Sequence, residues 1–216
     1  MSNNIQMAEL LCTKLCHDLT GPIGAVNNGA EFLSEDGFEL QSQAVDLIVS
    51  SAFSAVARLQ FYRMAYGNVK NHGEANLAEK QKIASDFFVG SKITLDWPEN
   101  HTDSACASVS IKMARLIYNL LIIASSSMIR GGVISVRIAT DITSSKIIRV
   151  TAIGKSLKWD SEIEKILSGD DSIVLNSKNV QLHLTKQYAD DLRSKITWKV
   201  SDEELVLSLI QPPGDQ

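Results

Sequence analysis

An apolar stripe that holds its phase from Ile5 to Ser34, straight across a proline, constrains this fold more than any other feature of the sequence. At about 100° per residue, Leu11, Leu15, Leu19, Ile23, Val26, Ala30 and Leu33 fall within an arc of roughly 120°, the width of a core-facing stripe. Pro22 lies inside that pattern. A proline in a helix interior removes a hydrogen bond and crowds the preceding turn, at a cost of about 3 kcal/mol. Because the stripe resumes in phase at Ile23, one long kinked helix is expected and not two short ones. His17 projects almost opposite the centre of the stripe, with Lys14, Gly21, Gly24 and Asn28 as its outward neighbours. Glycines on the turns below it leave room for a large partner. The projection alone fits an ordinary exposed histidine as well.

Glu35-Asp36-Gly37 is a short turn, and a second helical run follows from Gln41 to Tyr66. Val45, Ile48, Val49, Ala52, Val56 and Leu59 share an arc of roughly 100° on it. Two long amphipathic helices joined by a tight turn make an antiparallel hairpin. Each has a wide apolar face and only one neighbour. A homodimeric four-helix bundle with two-fold symmetry encloses both stripes. Packing on the rest of the chain is the other solution.

Gly67-Asn68-Val69-Lys70-Asn71-His72-Gly73 has turn composition and divides the chain into residues 1–70 and 74–212. Beyond it the periodicity mixes. Helices are expected over Leu77–Val89, Ser110–Ile129 (closed by Gly131-Gly132), Asp160–Leu167 and Val180–Leu192. Strands are expected over Lys92–Trp97, Val133–Ala139, Ile147–Ala152, Ile196–Val200 and Glu204–Leu209, with a polar turn at Asp141–Ser145. Helices and strand pairs in that order imply an α+β sandwich with one helical layer on one sheet.

His17-Asp18, followed by Pro22, resembles the phospho-acceptor segment of the dimerising hairpin in sensor histidine kinases. The wider stretch, Cys16-His17-Asp18-Leu19 through Pro22-Ile23-Gly24-Ala25-Val26-Asn27-Asn28-Gly29, is more specifically similar to the ChpT-type histidine phosphotransferases of α-proteobacteria. The second half resembles the ATP-binding domain of histidine kinases in element order, but each nucleotide box fails at its chemical centre. Asn119-Leu120-Leu121-Ile122-Ile123-Ala124 has Ile123 where the family places a Mg²⁺-binding asparagine, and isoleucine offers a hard cation no oxygen. In Thr151-Ala152-Ile153-Gly154-Lys155-Ser156, Ala152 replaces the adenine-reading aspartate and Ser156 the second glycine. Gln181-Leu182-His183-Leu184 puts side chains where two glycines let backbone approach the triphosphate. The expected second half is therefore a degenerate kinase-like α/β domain without nucleotide.

The resemblance implies a histidine phosphotransferase in a two-component phosphorelay. A phosphorylated receiver domain docks on the hairpin, and His17 takes the phosphoryl group from its aspartate and passes it to a second receiver. Imidazole ordinarily titrates near 6.5, so an exposed histidine is largely a neutral nucleophile at neutral pH. Asp18 orients the ring, Lys14 adds positive charge, and Gly21 and Gly24 clear the approach. Counting from the turn places Ala44–Ala55 alongside and below His17, which makes Leu47 and Ser51, with Asn28, further receiver contacts. Mg²⁺ is expected on the receiver and no cofactor on this chain. The implied donor is the receiver of a CckA-type hybrid histidine kinase, and the implied acceptor a CtrA-type regulator. With Gly21 four residues after the histidine, where kinases often carry Thr or Asn, phosphatase chemistry is not expected. An ATP-dependent kinase with divergent boxes and a non-enzymatic receiver-binding adaptor stay open.

A net charge of −4 without a basic run argues against nucleic acid. No uninterrupted apolar stretch approaches the ~20 residues of a membrane span, no signal-peptide layout is present, and three cysteines suggest reduced thiols, so a cytoplasmic protein is expected. Cys12 and Cys16 project toward the packed side and are expected to be small core residues, not metal ligands. Cys106 has no partner in sequence, His72 and His101 lie in polar loops, and His183 sits on an amphipathic helix. Trp97, Trp159 and Trp198 are scattered and form no stacking platform for bases.

Overall fold

The computed structural model describes residues 3–34, 38–67, 77–98, 110–140, 145–170 and 172–211. Helix α1 runs unbroken from Asn3 to Phe32 with Pro22 inside it, as the resumed stripe predicts. Lacking an N–H, Pro22 leaves the carbonyl of Asp18, one turn back, without its helical partner. Helix α2 (Phe38–Tyr66) returns antiparallel. The two pack closely at Gly29, where an added Cβ would lie 2.7 Å from Ile48 Cγ1 and 3.1 Å from the Ala44 carbonyl oxygen. Around Gly24 the same atom would meet nothing within 4 Å. Alanine is favoured over glycine in a helix by about 1 kcal/mol, and only a free site collects that gain. Gly24→Ala should therefore raise the urea midpoint, and Gly29→Ala should lower it.

The rest of the chain alternates helices and strands: α3 (Leu77–Phe88), β1 (Ile93–Asp96), α4 (Ile111–Ser127), β2 (Gly132–Thr140), β3 (Lys146–Ile153), α5 (Ser161–Ser168), α6 (Val180–Asp191), β4 (Lys195–Val200) and β5 (Glu204–Gln211). The expected elements are present with ends shifted by a residue or two; the turn at Asp141–Ser145 lies mostly outside the described residues. The strands form one mixed sheet in the order β1-β2-β3-β5-β4, parallel between β1 and β2 and antiparallel elsewhere. Its inner face, from Ile134, Val136, Ile148, Val150, Leu205, Leu207 and Leu209, packs on α4. Helix α4 is apolar almost all round because it is enclosed, with the sheet on one side and α2 and α6 on others. Ser110 Oγ caps its start by accepting from the Met113 N–H. After it the chain must turn onto β2 at Gly131, whose φ is 80° and whose added Cβ would sit 2.1 Å from the Lys92 carbonyl oxygen. Only glycine fits there.

The hairpin is anchored at one end. Phe61, Tyr62, Met64 and Ala65, at the end of α2, belong to the main core. Met7, near the start of α1, is buried with Val180 and Leu184 of α6, flanked by Leu10 and Leu11. The two proposed halves thus share a continuous core, while residues 68–76 between them lie outside the described residues. Toward the turn the apolar stripes are open: Ile23, Leu33, Val45, Val49, Phe53, Val56 and Leu59 are all exposed within one chain. Packing on the rest of the chain therefore encloses one end of the hairpin, and a long apolar seam is left over.

That seam corrects two expectations. Cys12 and Cys16 are exposed and not buried, because they lie on a part of the α1 stripe that none of the described residues covers. The segment Gln41–Tyr66 is also long and apolar enough, by length and composition, to cross a membrane. Its antiparallel pairing with α1 and the burial of its end in the core account for part of that composition. The tryptophans are less scattered than their spacing suggests: Trp159 and Trp198 pack with ring centroids 6.3 Å apart, and Trp97 is buried.

Candidate functional site

His17 stands on the outer face of α1 with its side chain 87% exposed. Its neighbour Asp18 points inward along the hairpin and collects three donors. Asp18 Oδ1 lies 3.3 Å from His17 Nδ1, and Oδ2 accepts from the Tyr62 hydroxyl at 2.7 Å with Lys14 Nζ at 3.3 Å. Partial burial would raise the Asp18 carboxyl, but the Tyr62 bond, the Lys14 charge and the His17 contact outweigh it and hold the group below the ordinary carboxylate range. Burial first, and the bond to Asp18 second, push the Tyr62 hydroxyl well above its usual value, so it keeps its proton and donates. An ionised carboxylate only accepts hydrogen bonds. The tautomer that fits this contact carries the hydrogen of the neutral His17 ring on Nδ1, toward Asp18, and leaves the Nε2 lone pair free.

The other expected site residues fall around this centre in different ways. Lys14 joins it through Asp18. Gly21 and Asn28 are exposed on α1, Gly24 is half-buried, and neither glycine has any atom within 4 Å of an added Cβ. Gly29 lies against Ala44 and Ile48 whereas Asp18 meets Tyr62, so Leu47 and Ser51 lie on turns of α2 below His17. Leu47 is half-buried and Ser51 is buried. The α2 residue that reaches the site is Tyr62, which sequence reasoning missed. Its signal was present: a tyrosine in an apolar core face needs a polar partner for its hydroxyl.

The residues at the positions of the nucleotide boxes make contacts of their own. Gln181, 6% exposed, donates from Nε2 to Asn119 Oδ1 at 2.6 Å and accepts from the Tyr66 hydroxyl through Oε1. Asn119, fully buried, donates from Nδ2 to the Ala65 carbonyl at 2.9 Å and to the Arg115 carbonyl at 2.7 Å. Arg115 donates to the Gly67 carbonyl at 2.6 Å, and its guanidinium lies 5.1 Å from the Tyr188 ring centroid. Carbonyls at the end of a helix lack intrahelical donors. Asn119 and Arg115 supply them, so these residues fasten the end of α2 to the second half of the chain. Ile123 and Ala152 are buried in the core, where neither offers a ligand atom. Ser156 keeps φ 59°, a left-handed conformation that favours the glycine expected there. Of the remaining singled-out residues, His183 is half-buried, and His72, His101 and Cys106 lie outside the described residues.

Comparison with known proteins gives a consistent result. Residues 77–204 match the family model of the histidine phosphotransferase C-terminal domain. The protein phosphotransferase ChpT of Brucella abortus (strain 2308) is 30% identical over 206 residues, covering 94% of this chain and 95% of that one. A bacterial phosphotransferase solved at 1.7 Å superposes with a TM-score of 0.79 and 30% identity, with 97% of each chain covered. Full-length ShkA, crystallised with AMPPNP, has a TM-score of 0.50 at 10% identity, covering 94% of this chain and 45% of that one, a likeness of fold alone. With the match running through both the hairpin and the sheet domain, the chain belongs to the ChpT-type histidine phosphotransferases.

Proposed function

We propose that this phosphotransferase carries the phosphoryl group on His17, between the aspartates of two receiver domains. The observation that carries the reading is the pairing of an exposed imidazole with an inward-facing, ionised Asp18. In the first step the Nε2 lone pair attacks phosphorus, the bond from phosphorus to the donor aspartate's oxygen breaks, and that aspartate leaves as a carboxylate. Positive charge develops on the ring as the N–P bond forms, and Asp18 meets it across the Nδ1–H. The second step is the reverse, with a different aspartate as acceptor. Phosphoryl transfer depends on in-line positioning and charge neutralisation, which suits a docked partner bringing Mg²⁺ and its own acidic cluster. Lys14 adds positive charge one turn above His17. Gly21 and Gly24 leave the docking face without bulk, with Asn28 at its lower edge and Leu47 contributing from α2.

The protein works as a homodimer in the cytoplasm. Among the described residues of the hairpin, nine large apolar side chains are exposed in one chain, from Ile5 to Leu33 and, on α2, from Val45 to Leu59. Val45, Val49, Phe53 and Val56 share one face of α2, and an exposed apolar face of this kind marks an interface. A second copy supplies the same surface and closes a four-helix bundle with both His17 rings on the outside. By resemblance, the donor is a CckA-type hybrid kinase receiver and the acceptor a CtrA-type regulator. The buried Gln181–Asn119 contact and the apolar Ile123 and Ala152 support a domain that neither binds nucleotide nor autophosphorylates.

Incubation with a radiolabelled phospho-receiver, and in parallel with labelled ATP, tests the reading. Acid-labile label arriving from the receiver and not from ATP is expected. Label from ATP alone would make the chain a kinase. Binding to receivers without any label would make it an adaptor.

A further inference from the structure

The contact between Tyr62 and Asp18 joins two helices at the reacting histidine, and nothing in the transfer step itself accounts for it. A carboxylate has two equivalent oxygens and rotates between them unless donors tell them apart. Here they are told apart. Oδ2 takes the Tyr62 hydroxyl at 2.7 Å, together with Lys14, and Oδ1 is left for His17 Nδ1. Lys14 sits on the same helix at the end of a long flexible stem, so it follows the carboxylate and does not fix it. Tyr62 arrives from another helix and is held on several sides. Its ring stacks on Tyr66 with centroids 5.7 Å apart and lies edge-on to Phe61 at 6.1 Å and to Phe87 at 5.9 Å. Tyr66 is tied in turn to Gln181 and through it to Asn119. An unbroken chain of contacts thus runs from the buried centre of the second half to the carboxylate beside His17.

We propose that Tyr62 is a positioning residue for phosphoryl transfer: its hydroxyl holds Asp18 so that Oδ1 keeps the hydrogen of His17 on Nδ1 and leaves Nε2 free to attack. This rests on the reading of His17 as the phosphoryl carrier. Tyr62 is buried, which leaves almost none of its side chain for a receiver to contact. Its removal therefore acts on the rate of transfer and not on the affinity for the partner.

The variant is Tyr62→Phe, which keeps the ring and its stacking. In the free protein, long-range ¹H–¹⁵N correlation spectra of the neutral His17 ring report which nitrogen holds the hydrogen. Wild type is expected to be Nδ1–H, and Tyr62→Phe a mixture with Nε2–H. The maximal rate of label transfer from phospho-receiver should fall by about tenfold to a hundredfold, the scale of a misplaced reacting group, with the receiver concentration at half-saturation unchanged. In an Asp18→Ala background, removing the hydroxyl should add less than about twofold, because the two groups act as one unit. A wild-type rate in Tyr62→Phe overturns the proposal whatever the tautomer does, and so does a loss of the same size with or without Asp18. If instead His17 is not the carrier, the rate ignores His17→Ala while the tautomer shift persists, so the two failures are distinguishable.

Discussion

His17→Ala should abolish phosphoryl acceptance from every receiver while leaving the fold as it is. Both halves of that result follow from one geometry. The imidazole is 87% exposed, and among the described residues its one polar contact is with the adjacent Asp18, so its removal opens no cavity and strands no buried group. Substitutions at such positions change stability by about 0.5 kcal/mol or less. Circular dichroism and the melting temperature should match wild type. The chemical loss is of another order, because alanine has no lone pair to offer phosphorus and the neighbours cannot stand in. Cys16 is exposed but lies about 100° round the helix and has no base beside it. Lys14 is engaged with Asp18. Transfer should drop by more than about a thousandfold, the scale seen when a nucleophile is removed. The measurement is acid-labile label on the purified variant after incubation with phospho-receiver, alongside its binding to the same receiver. Retained label would place the acceptor elsewhere on the chain and sink the reading of the site.

How far the sequence carries this picture depends on what each feature needs from distant residues. The long helices were legible because the apolar stripe repeats for many turns, and the cost of Pro22 is outweighed by packing on both sides of it. The strands were legible because alternation marks one buried sheet face, as in β2 and β5. His17 and Asp18 were legible as neighbours. Tyr62 was not, since a hydrogen bond across 44 positions depends on the register of two helices, and that register is set at Gly29 against Ala44 and Ile48. Cys12 and Cys16 were misplaced for a related reason. A stripe says that a face wants cover and not whether the same chain supplies it. The nucleotide boxes showed where the sequence departs from the kinase pattern; only the structure shows that Asn119 and Gln181 help to hold the end of α2.

Putting glutamate at both Val49 and Val56 should turn the protein into a monomer without unfolding it. The two valines are 63% and 53% exposed in one chain, on the face of α2 turned away from the core. Moving a valine side chain out of water is worth roughly 1.5–3 kcal/mol, and two-fold symmetry counts each one twice. The double variant forfeits four such burials and brings four carboxylates into an apolar seam, where an unpaired charge is costly. Even a net loss of about 4 kcal/mol weakens association nearly a thousandfold. Sedimentation equilibrium across a concentration series should find wild type dimeric and the variant monomeric. The fold has reason to survive, since both valines are exposed while the buried cores gather around Phe61, Tyr62 and Met7. His17 points away from the seam, so the monomer should still accept phosphate, more slowly where the receiver needs α2 held firmly against α1. A monomeric wild type at micromolar concentration would mean that something other than a second copy covers this face. A variant that unfolds would mean that the seam is part of the core after all.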